Sequence, residues 1–479
     1  MSSALPRAGA PGQPTLPPCT HQPQHYAGPD YPEVLELRRQ YVAPFVFTYY
    51  QQPLLIVEGY LQYLWDHTGK RYLDAAAGIA TISVGHCHPR VVEAARQQVG
   101  TLAHTTTIYL HPNIARYAAA LAQHFPQESK LGSLYFTNSG SEANEVATML
   151  ARLHTGSFDV IALRNGYHGG SAATMGLTAM SNWKYPLPHA LGVHYACPGY
   201  CYRCPAGLEY PACGLRCAHD IEPLVAYETC GKVAAFIAEA IQGVGGVIEP
   251  PPGYFRTVYE IVRAHGGLCI ADEVQSGFAR TGETFWAFEH HGVTPDVVTL
   301  AKGIANGAPL GAVVTRPDVA QAMMQRLHFN TFGGNPVSAI QGLTTLQVID
   351  EEQLQRNARE VGGYLRERLL DLQRRHPLIG DVRGRGLLQA IELVRDRSTK
   401  EPARVETARI HETIKDRGLL CGKAGVYGNV LRFTPPLCIT KPDIDFLAQT
   451  LDEALGMAKG ESRVTSECRR QNSERDTHR

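Results

Sequence analysis

The chain has 479 residues, of which 44% are hydrophobic and 19% charged, with 45 Lys and Arg against 45 Asp and Glu. That length calls for two domains plus extensions rather than one core, and the composition excludes disorder over most of it. The zero formal charge gives no sign of a nucleic-acid or membrane surface, and no apolar run reaches the roughly 18 residues of a membrane span.

Residues 1–30 are rich in Pro, Gly and Ala and read as a mobile arm. They lack the apolar core of a secretory signal and are poor in basic residues, so a mitochondrial presequence is a poor match and the cytoplasm is the expected compartment. Residues 31–75 form an N-terminal segment. In it "LLIVEGYLQYLWDHTGKRYLD" (54–74) alternates as strands do, with a hairpin turn at His-Thr-Gly. From 76 to 335, short apolar strands alternate with helical stretches. "GSLYFTNSG" (132–140) is a strand and turn, followed by a helix over 141–155. Further strands are expected within 160–169, 233–243, 267–274 and 296–302, with a helix over 253–266. This alternation predicts an α/β fold, a mainly parallel sheet covered on both faces. Residues 336–458 change texture. A long amphipathic helix is expected over 338–375, then strands within 379–394 and 428–440, giving a smaller α+β domain. Residues 459–479, polar and charged, read as a disordered tail.

There are twelve cysteines. Cys87, Cys269, Cys421 and Cys438 sit in apolar stretches and read as small core residues. Cys197, Cys201, Cys204, Cys213 and Cys217 crowd into "CPGYCYRCPAGLEYPACGLRC", where one C-x-x-C spacing leaves a structural metal, a disulfide and plain thiols all open.

Four features fall where such a sheet places its strand C-termini. In "TNSGSEANE" a strand ends and Ser139-Gly140-Ser141 opens a helix, an anion site by its free N–H groups and dipole; a plain helix cap built on Ser141 and Asn144 is the alternative. "GYHGG" puts Tyr167 and His168 among glycines, where Tyr167 could stack on a flat ring or lie on the surface. "IADEVQSGFARTG" closes an apolar strand with Asp272 and Glu273, and a carboxylate buried there is costly unless paired. "VVTLAKGIANGAPLGAVV" ends the next strand with Lys302, thirty residues beyond Asp272. Locally that lysine reads either as a snorkelling surface side chain or as an amine buried for chemistry, its pKa lowered so that it can attack a carbonyl. Pyridoxal phosphate asks for all four: a lysine for its aldehyde, a carboxylate for its ring nitrogen, an anion site and a stacking face.

With "NSGSEANE", "YHG", "ADEVQSGFARTG", "AKGIANGAPLGAV" and "TFGGNP" in this order, the chain resembles the class III, fold-type I pyridoxal-phosphate aminotransferases from about Tyr41 to Ala458. "RYLDAAAGIATISVGHCHP", "HFNTFGGNP" and "CITKPDIDF" make it most similar to the alanine–glyoxylate aminotransferase 2 group. The resemblance implies that Lys302 holds the cofactor and shuttles a proton, that Asp272 pairs with the ring nitrogen, and that Ser139, Gly140 and Ser141 hold the phosphate. It implies that Tyr167 stacks on the ring, that His168 and Glu239 adjoin it, and that Gln275 bonds its hydroxyl. Thr331 is expected to reach the phosphate of a neighbouring subunit, making a homodimer with shared sites, or a tetramer of such pairs. Arg432, otherwise an unremarkable strand residue, is expected to bind a substrate carboxylate.

The resemblance implies a ping-pong transfer of an amino group, with alanine as the first donor and glyoxylate or pyruvate as acceptor. Relatives that take ω-amino donors carry a Glu shortly after the "IQG" turn, able to mask that arginine; here the place is Val244, which favours α-amino acids. An ω-amino-acid or amine transaminase and a lyase on phosphorylated amines are the alternatives. A binding protein on a retired scaffold is a third, and it would be expected to have lost Lys302 or Asp272.

Overall fold

The computed structural model describes residues 14–189 and 191–476, with 459–476 as backbone alone. Residues 14–30 carry no helix or strand, yet they are not the free arm expected. The His21 ring stacks on Tyr60 at 4.5 Å and bonds the Glu58 carboxylate at 2.6 Å, and Arg71 donates to the Pro17 carbonyl at 2.7 Å. Contacts to an aromatic face and a carboxylate hold a segment that has no pattern of its own. Residues 1–13 of that arm lie outside the described residues. A helix, Tyr31–Tyr41, follows, capped by the Asp30 carboxylate on the Glu33 N–H.

The expected hairpin is present as β1 (Ile56–Tyr60), β2 (Tyr63–Asp66) and β3 (Arg71–Asp74). It is not an isolated N-terminal unit. Tyr63 and Gln62 bond the Asp443 carboxylate at 2.5 and 2.9 Å, and a late two-residue strand, Leu419–Leu420, pairs in parallel with β3.

The central sheet has seven strands: β4 (Ser133–Thr137), β5 (Val160–Leu163), β6 (Val193–Ala196), β7 (Ala235–Glu239), β8 (Leu268–Asp272), β9 (Val297–Leu300) and β10 (Gly311–Thr315), in the order β4-β10-β9-β8-β7-β5-β6. β5 to β9 pair in parallel, and β7 to β9 are buried at every residue, as a sheet covered on both faces requires. β10 was not expected from the sequence. It runs antiparallel to both β9 and β4, because the chain after Lys302 turns back at once through Asn306 and Gly307, both at positive φ.

The helix expected over 338–375 is two helices, Pro336–Glu351 and Leu354–Arg375, separated where Gln353 adopts φ +55°. The first is not amphipathic but buried round most of its surface, packed on helices Pro89–Thr101 and Pro112–Ala122. The second backs a four-stranded antiparallel sheet of β11 (Ile379–Arg385), β12 (Leu388–Leu393), β14 (Gly422–Ala424) and β15 (Val430–Phe433), β13 being Leu419–Leu420. The last helix, Lys441–Asp476, continues through the stretch expected to be a disordered tail. Its Glu, Arg and Gln content suits helix propagation once packing of 441–458 has nucleated it. No helix among the described residues is long and apolar enough to cross a membrane.

Every described cysteine is a free thiol, and no group of three or more His, Cys, Asp or Glu side chains among the described residues could hold a metal. Cys197, Cys201, Cys204, Cys213 and Cys217 nonetheless lie close enough to act on one another's charge, and metal content of the purified protein separates the metal, disulfide and plain-thiol readings. Other side chains anchor the segment. Tyr200 and Arg203 both bond the buried Glu392 carboxylate, and Arg203 also reaches the Lys400 carbonyl at 2.7 Å. If the thiols hold a metal, protein purified without chelator should carry about one zinc per chain; zinc near zero with all thiols titratable after unfolding leaves only the plain-thiol reading. Cys269 and Cys421 are buried as expected, Cys438 is partly so, and Cys87 is exposed, in a turn with φ +48°.

Candidate active site

The C-terminal ends of β4, β5, β7, β8 and β9 surround a cavity of about 330 Å³. Ser139, Gly140, Ser141, Tyr167, His168, Glu239, Asp272, Gln275 and Lys302 all line it. The sequence scatters these residues over more than 160 positions; the parallel sheet gathers them because each strand delivers its last residue to the same edge.

At one wall the helix Gly140–Thr155 begins. Ser139 is its N-cap and accepts from the Glu142 N–H at 3.2 Å, while the Glu142 carboxylate accepts from the Asn138 N–H at 2.6 Å. The cap is thus Ser139 with Glu142, not Ser141 with Asn144, and the opening N–H groups of Gly140 and Ser141 are left for an anion. Gly169, at φ +135°, crosses above; a Cβ there would collide with the Ser141 and Thr174 hydroxyls.

At the floor lies Asp272. Its Oδ2 accepts from His168 Nδ1 and from Asn144 Nδ2, each at 2.8 Å, and its Oδ1 from the Val274 N–H at 3.1 Å. A carboxylate partner makes His168 Nδ1 the protonated nitrogen. Burial alone would raise the Asp272 pKa; the His168 and Asn144 bonds outweigh it and hold the carboxyl below its ordinary value. Asn144 is in turn fixed by Thr299, whose hydroxyl donates to its Oδ1 at 2.7 Å. The sequence reading treated Asn144 only as a helix cap and passed over Thr299. A buried side-chain amide one turn into a helix was the only available signal.

Glu239 stands beside Asp272 in register across β7 and β8. Burial, with the Asp272 charge adding to it, pushes its carboxyl up to about 7. It accepts from the N–H groups of Gly243 and Tyr167, at 3.0 and 3.2 Å, and from Gln275 Nε2 at 3.3 Å. Glu273, one residue past Asp272, points away. It ties the strand end to the turn 287–291 through Ser276, Ala287 and Phe288.

Lys302 follows β9 with φ +50° and is half-buried. Burial, reinforced by the Arg432 charge and opposed by Asp272, lowers its pKa and raises the share of neutral amine at a given pH. Its side chain lines the cavity.

Arg432 does not line the cavity but stands behind Gln275, donating to its Oε1 at 2.8 Å. It is 4% exposed, its Nε has no partner, and no carboxylate among the described residues is hydrogen-bonded to it. Tyr49, whose hydroxyl donates to the Lys423 carbonyl at 3.1 Å, lies near enough to act on its charge. The neighbouring Tyr50 stacks on His411 at 4.6 Å. Neither tyrosine was singled out from the sequence, where only an aromatic run marked them. Thr331 does not line the cavity; it is exposed beside Phe329 and Phe332, on a surface that meets the cavity at Asn138, which bonds Asn330 at 3.0 Å.

The chain matches the family Aminotransferase class-III over residues 48–455. It is 51% identical to "alanine–glyoxylate aminotransferase 2 homolog 2, mitochondrial" of Arabidopsis thaliana, covering 92% of this chain and 91% of that protein. The chain belongs to the class-III aminotransferases. Among solved structures, a phospholyase from Arthrobacter in complex with phosphoethanolamine superposes with TM-score 0.83 at 34% identity, covering 88% of this chain and 99% of that one. An amine transaminase from an uncultivated Pseudomonas species in its pyridoxal-phosphate-bound form superposes with TM-score 0.81 at 31% identity, covering 87% and 97%.

As a class-III aminotransferase the protein uses pyridoxal phosphate, and the residues present fit that group. The cavity offers helix N–H groups for a phosphate, a carboxylate held in its charged form for a ring nitrogen, and a primary amine of lowered pKa for an aldehyde. Gly169 leaves the space that a side chain would fill.

Proposed function

We propose that this aminotransferase takes the amino group of a small α-amino acid, alanine first, and passes it to glyoxylate or pyruvate in two half-reactions at one cavity. The observation that carries this is Arg432: a buried guanidinium held, among the described residues, only by a neutral amide, with Val244 where a masking Glu would stand. A planar cation kept out of water and free of a carboxylate partner is a receptor for one. The name of the Arabidopsis relative agrees with that substrate pair.

In this reading Ser139, Gly140 and Ser141 hold the phosphate, Tyr167 covers the ring, and Asp272, oriented by His168 and Asn144, holds a proton on the ring nitrogen. Glu239 and Gln275 shape the side towards Arg432. When bound, pyridoxal phosphate supplies an electron sink that weakens the bonds at the substrate Cα. Lys302 holds the cofactor between turnovers and, once displaced by the substrate amine, moves the proton from Cα. Its lowered pKa leaves it free to accept. The Arg432 guanidinium fixes the carboxylate so that this proton faces the amine.

Arg432→Ala should raise the Michaelis constant for alanine by an amount worth about 2–5 kcal/mol, roughly 30-fold or more. An amine without a carboxylate should be affected far less. Wild-type enzyme turning over 4-aminobutyrate much faster than alanine would replace this reading with the ω-amino one. The likeness to a phospholyase makes phosphoethanolamine the other substrate to try, with release of inorganic phosphate as its signature.

We also propose a homodimer in which Thr331 serves the partner's phosphate site. Support comes from the exposed apolar side chains around it, Leu327, Phe329 and Phe332, and from Ile108, Tyr109 and Leu110. Sedimentation should show a dimer or a larger even assembly, and an active monomer rules the shared site out. The cytoplasm stays our expected location, although the Arabidopsis relative is named mitochondrial; fractionation against a mitochondrial marker decides it.

A further inference from the structure

A second cavity, of about 650 Å³, opens where the central domain meets the C-terminal sheet, and four arginines line it. Arg256 enters from the helix Tyr254–Ala264, Arg366 from the helix Leu354–Arg375, and Arg383 and Arg385 from β11. Glu249 and Asp381 are the carboxylates of the lining.

The two carboxylates are already engaged. Arg385 bonds Glu249 at 2.5 Å and Glu283 at 2.8 Å, and Arg383 bonds Asp381 at 2.8 Å and lies 2.8 Å from Glu392. Arg366 has only the Gly384 carbonyl, at 3.3 Å, and Arg256 has no hydrogen bond or ion pair among the described residues. Two further donors of lining residues are buried without a partner but turn away from the cleft, Arg383 Nη2 toward Gly246 and the Tyr202 hydroxyl toward Gly380. His290, in the same wall, is pushed down to about 4 by burial and then by the Arg385 charge, so it adds no positive charge at neutral pH. What the cleft lacks is an acceptor. Two guanidiniums without a carboxylate partner, on facing elements of one cleft, match an oxyanion with several oxygens.

We propose that this cleft binds a small multivalent oxyanion, carried by a phosphate ester or a polycarboxylate, at a site separate from the cofactor cavity. The ligand bridges Arg256 of the central domain to Arg366 of the C-terminal domain, beside the paired Arg383 and Arg385. Occupancy would be felt at the active site by a short path. Arg383 Nε donates to the Gly246 carbonyl at 2.7 Å, and the same turn begins at Gly243, whose N–H is held by Glu239.

The test is calorimetric titration of cofactor-loaded enzyme, whose own phosphate site is filled, with inorganic pyrophosphate and with citrate at fixed ionic strength. Saturable binding of at least one probe is expected, and which probe binds separates the phosphate from the carboxylate source. Arg256→Gln with Arg366→Gln should weaken it by at least about tenfold. Arg256 is exposed and Arg366 only half-buried, so the pair should fold, with turnover in the absence of probe unchanged. Arg432→Ala, behind Gln275 on the cofactor side, should leave probe binding within about twofold. No saturable binding, equal binding by the double variant, or binding lost with Arg432→Ala would each overturn the proposal.

Discussion

Lys302→Ala is expected to lower turnover by at least about a thousandfold while leaving the protein folded. The size follows from losing both the amine that holds the cofactor and the base that moves the substrate proton, the latter alone being worth about 10²–10⁴. The fold should survive for a reason visible in the hydrogen bonds. Asp272 keeps His168, Asn144 and Val274 as donors when the lysine leaves, so no buried charge is orphaned. The positive φ at 302 strains lysine and alanine alike. Arg432 also loses a neighbour of like charge. A melting temperature within a few degrees of wild type, together with lost steady-state turnover and a changed visible absorbance, is the expected pattern. Turnover within tenfold of wild type would remove Lys302 from its role.

Asp272→Asn carries the second largest effect, and it should damage both chemistry and packing. The carboxylate presents two oxygens to three donors: His168 Nδ1 and Asn144 Nδ2 on one, and the Val274 N–H on the other. An asparagine offers one oxygen and an amide donor. At least one donor must then face another donor in a buried place, at a cost of about 1–3 kcal/mol. The lost charge matters more for turnover. Removing one preorganised electrostatic partner of a reacting centre costs about 10²–10³ in kcat. Measured at saturating cofactor, kcat should fall by that much, and the melting temperature should drop as well. A drop in stability with kcat within tenfold of wild type would show Asp272 to be a packing residue only.

Much of this site was legible because its signals are local. A strand announces itself by a continuous apolar run, and its end by a Gly, Ser or charged residue; a helix start announces itself by a capping residue. "IADE" and "TLAK" therefore disclosed Asp272 and Lys302 as strand-end residues, and "NSGSE" disclosed an anion-ready helix, before any contact was known. The cysteine segment shows where spacing fails. C-x-x-C is a local pattern, but it did not disclose that Tyr200 and Arg203 dock the segment on Glu392 or that Cys217 comes near Cys197, Cys201 and Cys213.

What the sequence determined by itself is the parallel α/β architecture and that Ser139–Ser141, Asp272 and Lys302 close elements at one sheet edge, since periodicity and chain order along the strands are enough for that; Glu239 and Gln275 were placed there by the family resemblance. What only the tertiary structure decided is how those side chains are held. Asn144 finds Asp272 across 128 residues and Arg432 finds Gln275 across 157. β10 reverses against its neighbours, Gln353 divides one expected helix into two, and residues 14–30 lie fixed against Glu58 and Tyr60. Each of these depends on which surfaces meet after the chain has folded back, and a buried polar group takes whichever partner the packing brings within about 3 Å.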